Sequence, residues 1–390
     1  MRIPIVAAVS IACATLLSGC FRVAGQSVPK YALDVNPADF SIANDELVLH
    51  YYGAGGWGVL WRNEYLLLAP YFSNHPLEDY GRVDKQPRIA EIAAGVANTP
   101  FAEAGMIVVG HGHADHAGDI SGYFSSALGS SAIPVGQAGL IANRTTQNML
   151  DGVISGNPFR CEGEPAANGA AIASCSLTGF RITPLVSDHA PNMIVDLPRV
   201  GVNGLSMSGF ATHQRVVWPT GKEASPADFV AGDTWAYLID LLNTAGDVVF
   251  RIHYMDAAAG PGNAIVPAAL LAERPIDVHI ACVPGFELVR DYPKNILNSA
   301  NDVGYVFLGH WEDFFRDRNK KLRLVAPILN QSRLNRFVQE VETSMLPGDR
   351  LAPVNKGASD CPTSPNRCGP HGERWAMPVP GEGYRFDTMP

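Results

Sequence analysis

The stretch Gly110-His111-Gly112-His113-Ala114-Asp115-His116-Ala117-Gly118 decides how this chain is read. It gathers three of the chain's 11 histidines, with an aspartate, inside six residues. The apolar run at residues 106–109 just before it predicts a short buried strand, so the cluster sits where a strand gives way to a turn. His111 and His113, two residues apart, can converge there. The small Gly112, Ala114 and Gly118 allow the turn that brings round Asp115 and His116. Imidazole nitrogen and carboxylate oxygen are donors that Zn2+ and related divalent ions accept. Four such donors in six residues exceed what one open ion needs from one segment, which points to two ions.

Working outward, residues 47–70 hold three β-rich runs, LVLHYY, WGVLW and YLLLAP, separated by turn residues, and predict a meander. Ile89, Ile92, Ala93 and Val96 recur at helical spacing behind Pro87. Residues 119–128 read as a helix, 132–136 as a strand and 140–150 as a helix. Residues 180–186 predict a strand leading to Ser187-Asp188-His189. Residues 234–242 and 248–256 predict a hairpin turning at Gly246, and 277–283 and 304–311 two further strands, the last ending on His310. Leu334, Phe337, Val338 and Val341 mark a closing amphipathic helix. Strands and helices thus alternate in two runs, each beginning with strands. That predicts an α/β fold, an αββα sandwich of two mostly β sheets covered by helices. The domain is expected over residues 45–350, with an irregular lid or insertion at about 190–232 and a Pro/Gly-rich tail at 351–390 packing as coil.

The 390 residues, 47% hydrophobic, suffice for a large core, and a net charge of −9 argues against a nucleic-acid partner. Residues 1–19 carry Arg2 and then an apolar run from Ile3 to Leu17, too short to span a bilayer comfortably and suited to a secretion signal. The run ends in Leu17-Ser18-Gly19-Cys20, which resembles a bacterial lipobox. That resemblance implies lipid attachment at Cys20, a tether over 20–44, and an exported protein held on a membrane. Of the seven cysteines, Cys161 with Cys175 and Cys361 with Cys368 are expected to form local disulfides in an oxidising compartment. Cys282 is expected to be a buried free thiol, and no CxxC spacing suggests a zinc knuckle.

His-x-His-x-Asp-His after a strand is similar to the signature of the metallo-β-lactamase fold superfamily, with later ligands at successive strand ends: here His189, Asp256 and His310. The resemblance spans roughly residues 45–315. It implies one ion on His111, His113 and His189, a second on Asp115, His116 and His310, and Asp256 bridging them. The implied ions are divalent, Zn2+ first, with Mn or Fe as alternatives. Asp115 would orient the nucleophile, and Asp256 could return a proton to the leaving group. Two departures stand out. Ala69-Pro70 occupies a place where many relatives carry a supporting aspartate, and Gly110 stands where Ser or Thr is common.

The implied activity is hydrolysis of an ester, lactone or phosphodiester of a small-molecule or lipid-like substrate. A zinc β-lactamase is disfavoured by the carboxylate at Asp256. A thioesterase of the same fold stays open, and the rival of another class is a non-catalytic metal-binding lipoprotein. Among other residues, His50, His253 and His279 read as sheet packing, His75 and His371 as surface, and His213 as a lid histidine that could meet substrate. Asp188 is a weak candidate for supporting the site, although strand alternation turns it away. Glu312 and Asp313 read as carboxylates in the first turn of a helix, with support of the metal site from behind the ligands as the alternative.

Overall fold

A computed structural model describes residues 22–23, 26–27, 40, 46–76, 87–134, 138–150, 175–190, 194–197, 202–206, 231–300, 302–326, 328–345 and 372–387. The meander forms as its sequence indicates. Strands β1 (Glu46–Gly53), β2 (Gly56–Trp61) and β3 (Glu64–Leu68) pair antiparallel through tight turns. They are buried on both faces, hence their near-continuous apolar composition. β4 (Ala104–Val109) and β5 (Gly139–Ala142) extend this sheet in parallel. A second sheet begins with β6 (Cys175–Ser176) and β7 (Phe180–Ser187). β8 (Ile194–Leu197) and β9 (Val202–Ser206) pair with each other. β10 (Thr234–Leu242) and β11 (Val248–Met255) make the expected hairpin, with Gly246 at φ +87° in its turn. β12 (Val278–Cys282) and β13 (Tyr305–Gly309) follow in parallel.

The tail corrects the coil expectation. β14 (Trp375–Ala376) joins β13, and β15 (Gly383–Asp387) returns to pair antiparallel with β1. The sheets therefore run β15-β1-β2-β3-β4-β5 and β14-β13-β12-β11-β10-β7-β6. Their facing sides interlock through Leu49, Trp57, Val59 and Val108 on one and Ile182, Tyr237, Ile252 and Phe307 on the other. The α-helices among the described residues are α1 (Ile89–Val96), α2 (Ala114–Ala117), α3 (Ile120–Tyr123), α4 (Arg144–Leu150), α5 (Ala268–Glu273), α6 (Lys294–Ser299) and α7 (Gln331–Ser344). α1 seals the outer face of the first sheet through Ile92 and Val96. α7 seals the second through Leu334, Phe337, Val338 and Val341. Each such buried side chain contributes about 1.5–3 kcal/mol relative to exposure. The architecture is the αββα sandwich.

Local expectations shift in three places. The helix foreseen at 119–128 is the single turn α3 followed by a 3-10 stretch, Ser126–Ser131, broken at Gly129 with φ +61°. The strand foreseen at 132–136 falls instead at β5; Pro134 has no N–H for a ladder. α4 starts late because the Asn143 side chain caps it, accepting from Thr146 N at 2.8 Å. Within the 190–232 insertion, β8 and β9 replace irregular chain; His213 lies outside the described residues. Residues 1–19, Cys20, Cys161, Cys361, Cys368, His371 and the Cys175 side chain also lie outside them. Cys282 is a buried free thiol.

His253 and His279 stand side by side in register between Leu238 and Val306, on the outer face of the second sheet, with stacked rings 5.1 Å apart. Burial lowers His253 to about 4 and His279 well below its usual value, while burial lowers His50 to about 4 against an opposing bond to Gly381. These rings fold neutral, whereas in the unfolded chain each takes up a proton below about pH 6.5. Their contribution is present above that pH and is lost as pH falls toward 4. The urea midpoint should therefore drop between pH 7 and 5, and His253→Leu should flatten the slope by up to about 1.4 kcal/mol per pH unit. Equal slopes for parent and variant would refute this account of His253.

Candidate metal centre

Four strands deliver the candidate residues to one edge of the sandwich. β4 ends at Val109, just before Gly110 and the histidine cluster. β7 leads to His189, β11 runs directly into Asp256, and β13 into His310. The cluster is stitched to the second sheet. Trp235 N donates to Gly110 O at 2.8 Å, Gly112 N to Ala231 O at 3.1 Å, and the Tyr237 hydroxyl to Val109 O at 2.7 Å. The one-turn α2 then carries Asp115 and His116, with His116 N and Ala117 N both donating to His113 O.

Two triads converge, the same two that the sequence resemblance implies. Donor atoms of His111, His113 and His189 lie within 4.8 Å of one another, and so do those of Asp115, His116 and His310. In the first, His111 Nε2 faces His113 Nδ1 at 3.0 Å. His189 Nδ1 is occupied by Ala190 O at 2.8 Å, which leaves Nε2 to face the group. In the second, His310 Nε2 is 3.0 Å from both Asp115 Oδ2 and His116 Nε2. These spacings suit donors on one small cation, since a tetrahedron with metal–nitrogen bonds of about 2.0–2.1 Å has an edge of about 3.3 Å.

The electrostatics suit a cation as well. Burial, reinforced by His116, holds His111 down to about 3, and burial also lowers His113 and His189, so these rings stay neutral. Burial opposes the charge on Asp115 and Asp256, but the neighbouring histidines more than offset it and both carboxyls fall well below their usual value. Burial likewise opposes charge on His116, yet Asp256 and Asp115 push it up to about 10. Two ionised carboxylates flanking one ring select for positive charge there, whether proton or metal ion.

Asp256, the residue expected to bridge the ions, meets two of the rings from their Nδ1 side. Its Oδ2 lies 2.9 Å from His111 Nδ1 and accepts from the backbone N–H groups of Gly110 and His111, at 2.9 and 3.0 Å. Its Oδ1 lies 2.7 Å from His116 Nδ1 and takes the Tyr254 hydroxyl. The two nitrogens of an imidazole point out of different sides of the ring. A carboxylate seated on Nδ1 therefore stands behind the ring, away from the Nε2 atoms that face into the triads. His111, His116 and Asp256 also converge within 4.8 Å, but through these Nδ1 contacts, the arrangement of a hydrogen-bonded carboxylate. Asp256 is also 1% exposed. The same geometry explains Gly110: a Cβ there would fall 2.4 Å from Asp256 Cβ and 2.5 Å from Trp235 O.

A support network joins His310 to the first sheet. His310 takes φ +62°, a strained conformation for a non-glycine residue. Its N–H donates to the Tyr51 hydroxyl at 3.0 Å, which donates to Glu312 at 2.6 Å, and Glu312 also accepts from Ala54 N. No helix begins at Glu312, contrary to expectation. It forms an isolated bridge with Leu324, while Asp313 pairs with Arg323 at 2.6 Å. The tail reaches this network too, with Tyr51 N donating to Glu382 O and Trp311 Nε1 to Pro378 O. Asp188 is exposed, and its side chain accepts from the backbone of the neighbouring His189, whose N–H donates to Oδ1 at 2.8 Å. His75, expected at the surface, is 4% exposed. Tyr51 and Tyr254 escaped the sequence reading. For Tyr254 a signal existed, since it stands two residues before Asp256 on the same strand face.

No protein-family model matches the chain, and no curated protein matches it. Solved structures are similar to it. One is a metallo-hydrolase from the hyperthermophilic archaeon Ignicoccus hospitalis, at 10% identity and TM-score 0.44, covering 88% of this chain and 100% of that one. An isothiocyanate hydrolase from Delia radicum gut bacteria stands at 9% identity and TM-score 0.44, covering 87% and 99%. A metallo-β-lactamase fold protein from Bacillus subtilis stands at 11% and TM-score 0.38, covering 68% and 86%.

Proposed function

We propose that this chain is a metal-dependent hydrolase of the metallo-β-lactamase type that holds two divalent ions, Zn2+ first, and cleaves an ester, lactone or phosphodiester. The observation that carries the reading is the pair of separate three-residue donor sets, His111/His113/His189 and Asp115/His116/His310, side by side at one edge of the sandwich. Three protein donors per ion leave a coordination position open, the mark of a catalytic rather than a structural site. Bound ions of this kind supply Lewis acidity and bring the pKa of water from about 16 to about 7.

The chain's own groups set the rest. His111, His113 and His189 offer neutral rings. Asp115 supplies a carboxylate at 9% exposure, within reach of incoming water, and orients the nucleophile. Phe314 packs edge-on against His310 at 4.8 Å and presents an apolar wall beside the second triad. Lipid attachment at Cys20, and with it export and residence on a bacterial membrane, belongs to the same proposal and rests on Leu17-Ser18-Gly19-Cys20. Among the described residues no helix is long and apolar enough to cross a membrane.

The test is direct. Purified protein should carry about two divalent ions per chain by elemental analysis. It should turn over at least one member of an ester, lactone, phosphodiester, thioester and β-lactam panel, lose that activity to a chelator and regain it with Zn2+. Fewer than one ion after reconstitution would sink the metal reading. Two ions with no turnover across the panel would favour a metal-binding protein without catalysis.

A further inference from the structure

We propose that Asp256 is a positioning residue that locks one histidine of each triad, His111 and His116, with Nε2 facing inward, and so couples the two ion sites through a single side chain. The inference rests on the metal reading above and deepens it. Each Asp256 oxygen takes one ring: Oδ2 sits 2.9 Å from His111 Nδ1, and Oδ1 sits 2.7 Å from His116 Nδ1. An ionised carboxylate is acceptor-only, so both rings present an N–H to it from Nδ1, and Nε2 is the nitrogen of each ring that faces its triad. The carboxylate is itself fixed from behind by the backbone N–H groups of Gly110 and His111 and by the Tyr254 hydroxyl, which also lies 2.9 Å from Gly55 O.

The packing around Asp256 is cut to this role. A Cβ on Gly110 would strike Asp256 Cβ at 2.4 Å, and a Cβ on Gly55 would fall 2.5 Å from His116 Nδ1 and 3.0 Å from Asp256 Oδ1. Two glycines thus clear the space that one carboxylate and the back of one imidazole fill. The turn after β3, where Ala69-Pro70 stands, offers no carboxylate to do the same work. The role falls to the end of β11.

The hydrogen-bond geometry makes an asymmetric prediction. In Asp256→Asn the amide must replace one oxygen by an NH2 group. The Oδ2 position receives two backbone N–H donors that cannot become acceptors, so the amide oxygen belongs there and His111 keeps its partner. The NH2 then faces His116 Nδ1, which must accept. The His116 proton moves to Nε2, the atom that faces Asp115 and His310, and the second triad loses a donor. Asp256→Ala frees both rings.

The experiment titrates parent, Asp256→Asn and Asp256→Ala with Zn2+ alone by calorimetry. In parallel, ring-nitrogen NMR of 15N-histidine-labelled protein reads the tautomers, and circular dichroism checks the fold. Expected are two sites in the parent, one site weakened about 10–100-fold in Asp256→Asn with the other kept, and both weakened by that factor in Asp256→Ala. In Asp256→Asn the His116 proton should be found on Nε2. Both sites falling together in Asp256→Asn, or His116 keeping its proton on Nδ1, would overturn the inference and leave the metal reading standing. So would unchanged affinity in Asp256→Ala. A parent that binds no Zn2+ would overturn both.

Discussion

His116→Ala should remove the second ion and lower kcat/KM by more than about 100-fold, beyond the range seen when only the support of a metal ligand is lost. His116 is the side chain on which most of the site depends. Its Nε2 is 3.0 Å from His310 Nε2 and 3.4 Å from Asp115 Oδ2, while its Nδ1 meets Asp256 at 2.7 Å. Alanine would take a donor from the second triad and leave Asp115 and Asp256, both buried, without the ring that balances their charge. The loss should appear as one ion per chain instead of two by elemental analysis, with kcat/KM measured at saturating metal. His253→Ala is the control. It removes a buried ring from the outer face of the second sheet, with the first sheet's histidine cluster on the far side. It should cost stability and leave both ions bound. Two ions retained in His116→Ala would break the assignment of the second triad.

Gly110→Ser should destabilise the protein by about 3 kcal/mol, the upper end for overpacking a core, and disorder both triads. Serine looks like an innocuous choice at this position, but the structure has no room for it. The new Cβ would overlap Asp256 Cβ at 2.4 Å, Trp235 O at 2.5 Å and Asp256 Oδ2 at 2.7 Å. Trp235 O belongs to a central strand and cannot yield cheaply, so Asp256 must move and release His111 and His116. Gly105→Ala, on the strand that leads to Gly110, provides the comparison: its Cβ would meet only Leu177 methyls at 3.6 Å, ordinary contact. Denaturant midpoints should separate the two variants clearly. Equal midpoints would show that Asp256 does not occupy the space beside Gly110.

What could be read in the sequence divides along physical lines. His111, His113, Asp115 and His116 were legible because they are local: six residues, one turn and the donor chemistry itself. His189 and His310 could be placed because each ends an apolar strand, and parallel strands deliver their ends to one edge. Asp256 was found by the same rule, but its hydrogen bonds to the Nδ1 atoms of His111 and His116 were not. The choice between Nε2 and Nδ1 depends on how two distant strands approach, and strand periodicity does not encode that. Gly110 had the same problem, since the reason for a missing side chain was another residue's volume. The tail's two strands, two and five residues long in a Pro- and Gly-rich stretch, carry too little pattern to stand out. They become strands because partners already exist, β13 for one and β1 for the other.

Those two strands also set a timetable. β15 pairs with β1, and its neighbour in the chain, β14, closes the other sheet. A polypeptide delivered amino end first has its whole histidine loop available early, while β1 and β13 keep bare edges until the last residues arrive. Such widely separated pairings make slow folding steps, and an open edge is a template for wrong partners in the meantime. The same late segment braces Tyr51 and Trp311 beside His310. Assembly of the centre therefore waits on residues 375–387, so a polypeptide delivered only as far as β13 has the donors without the frame that aims them.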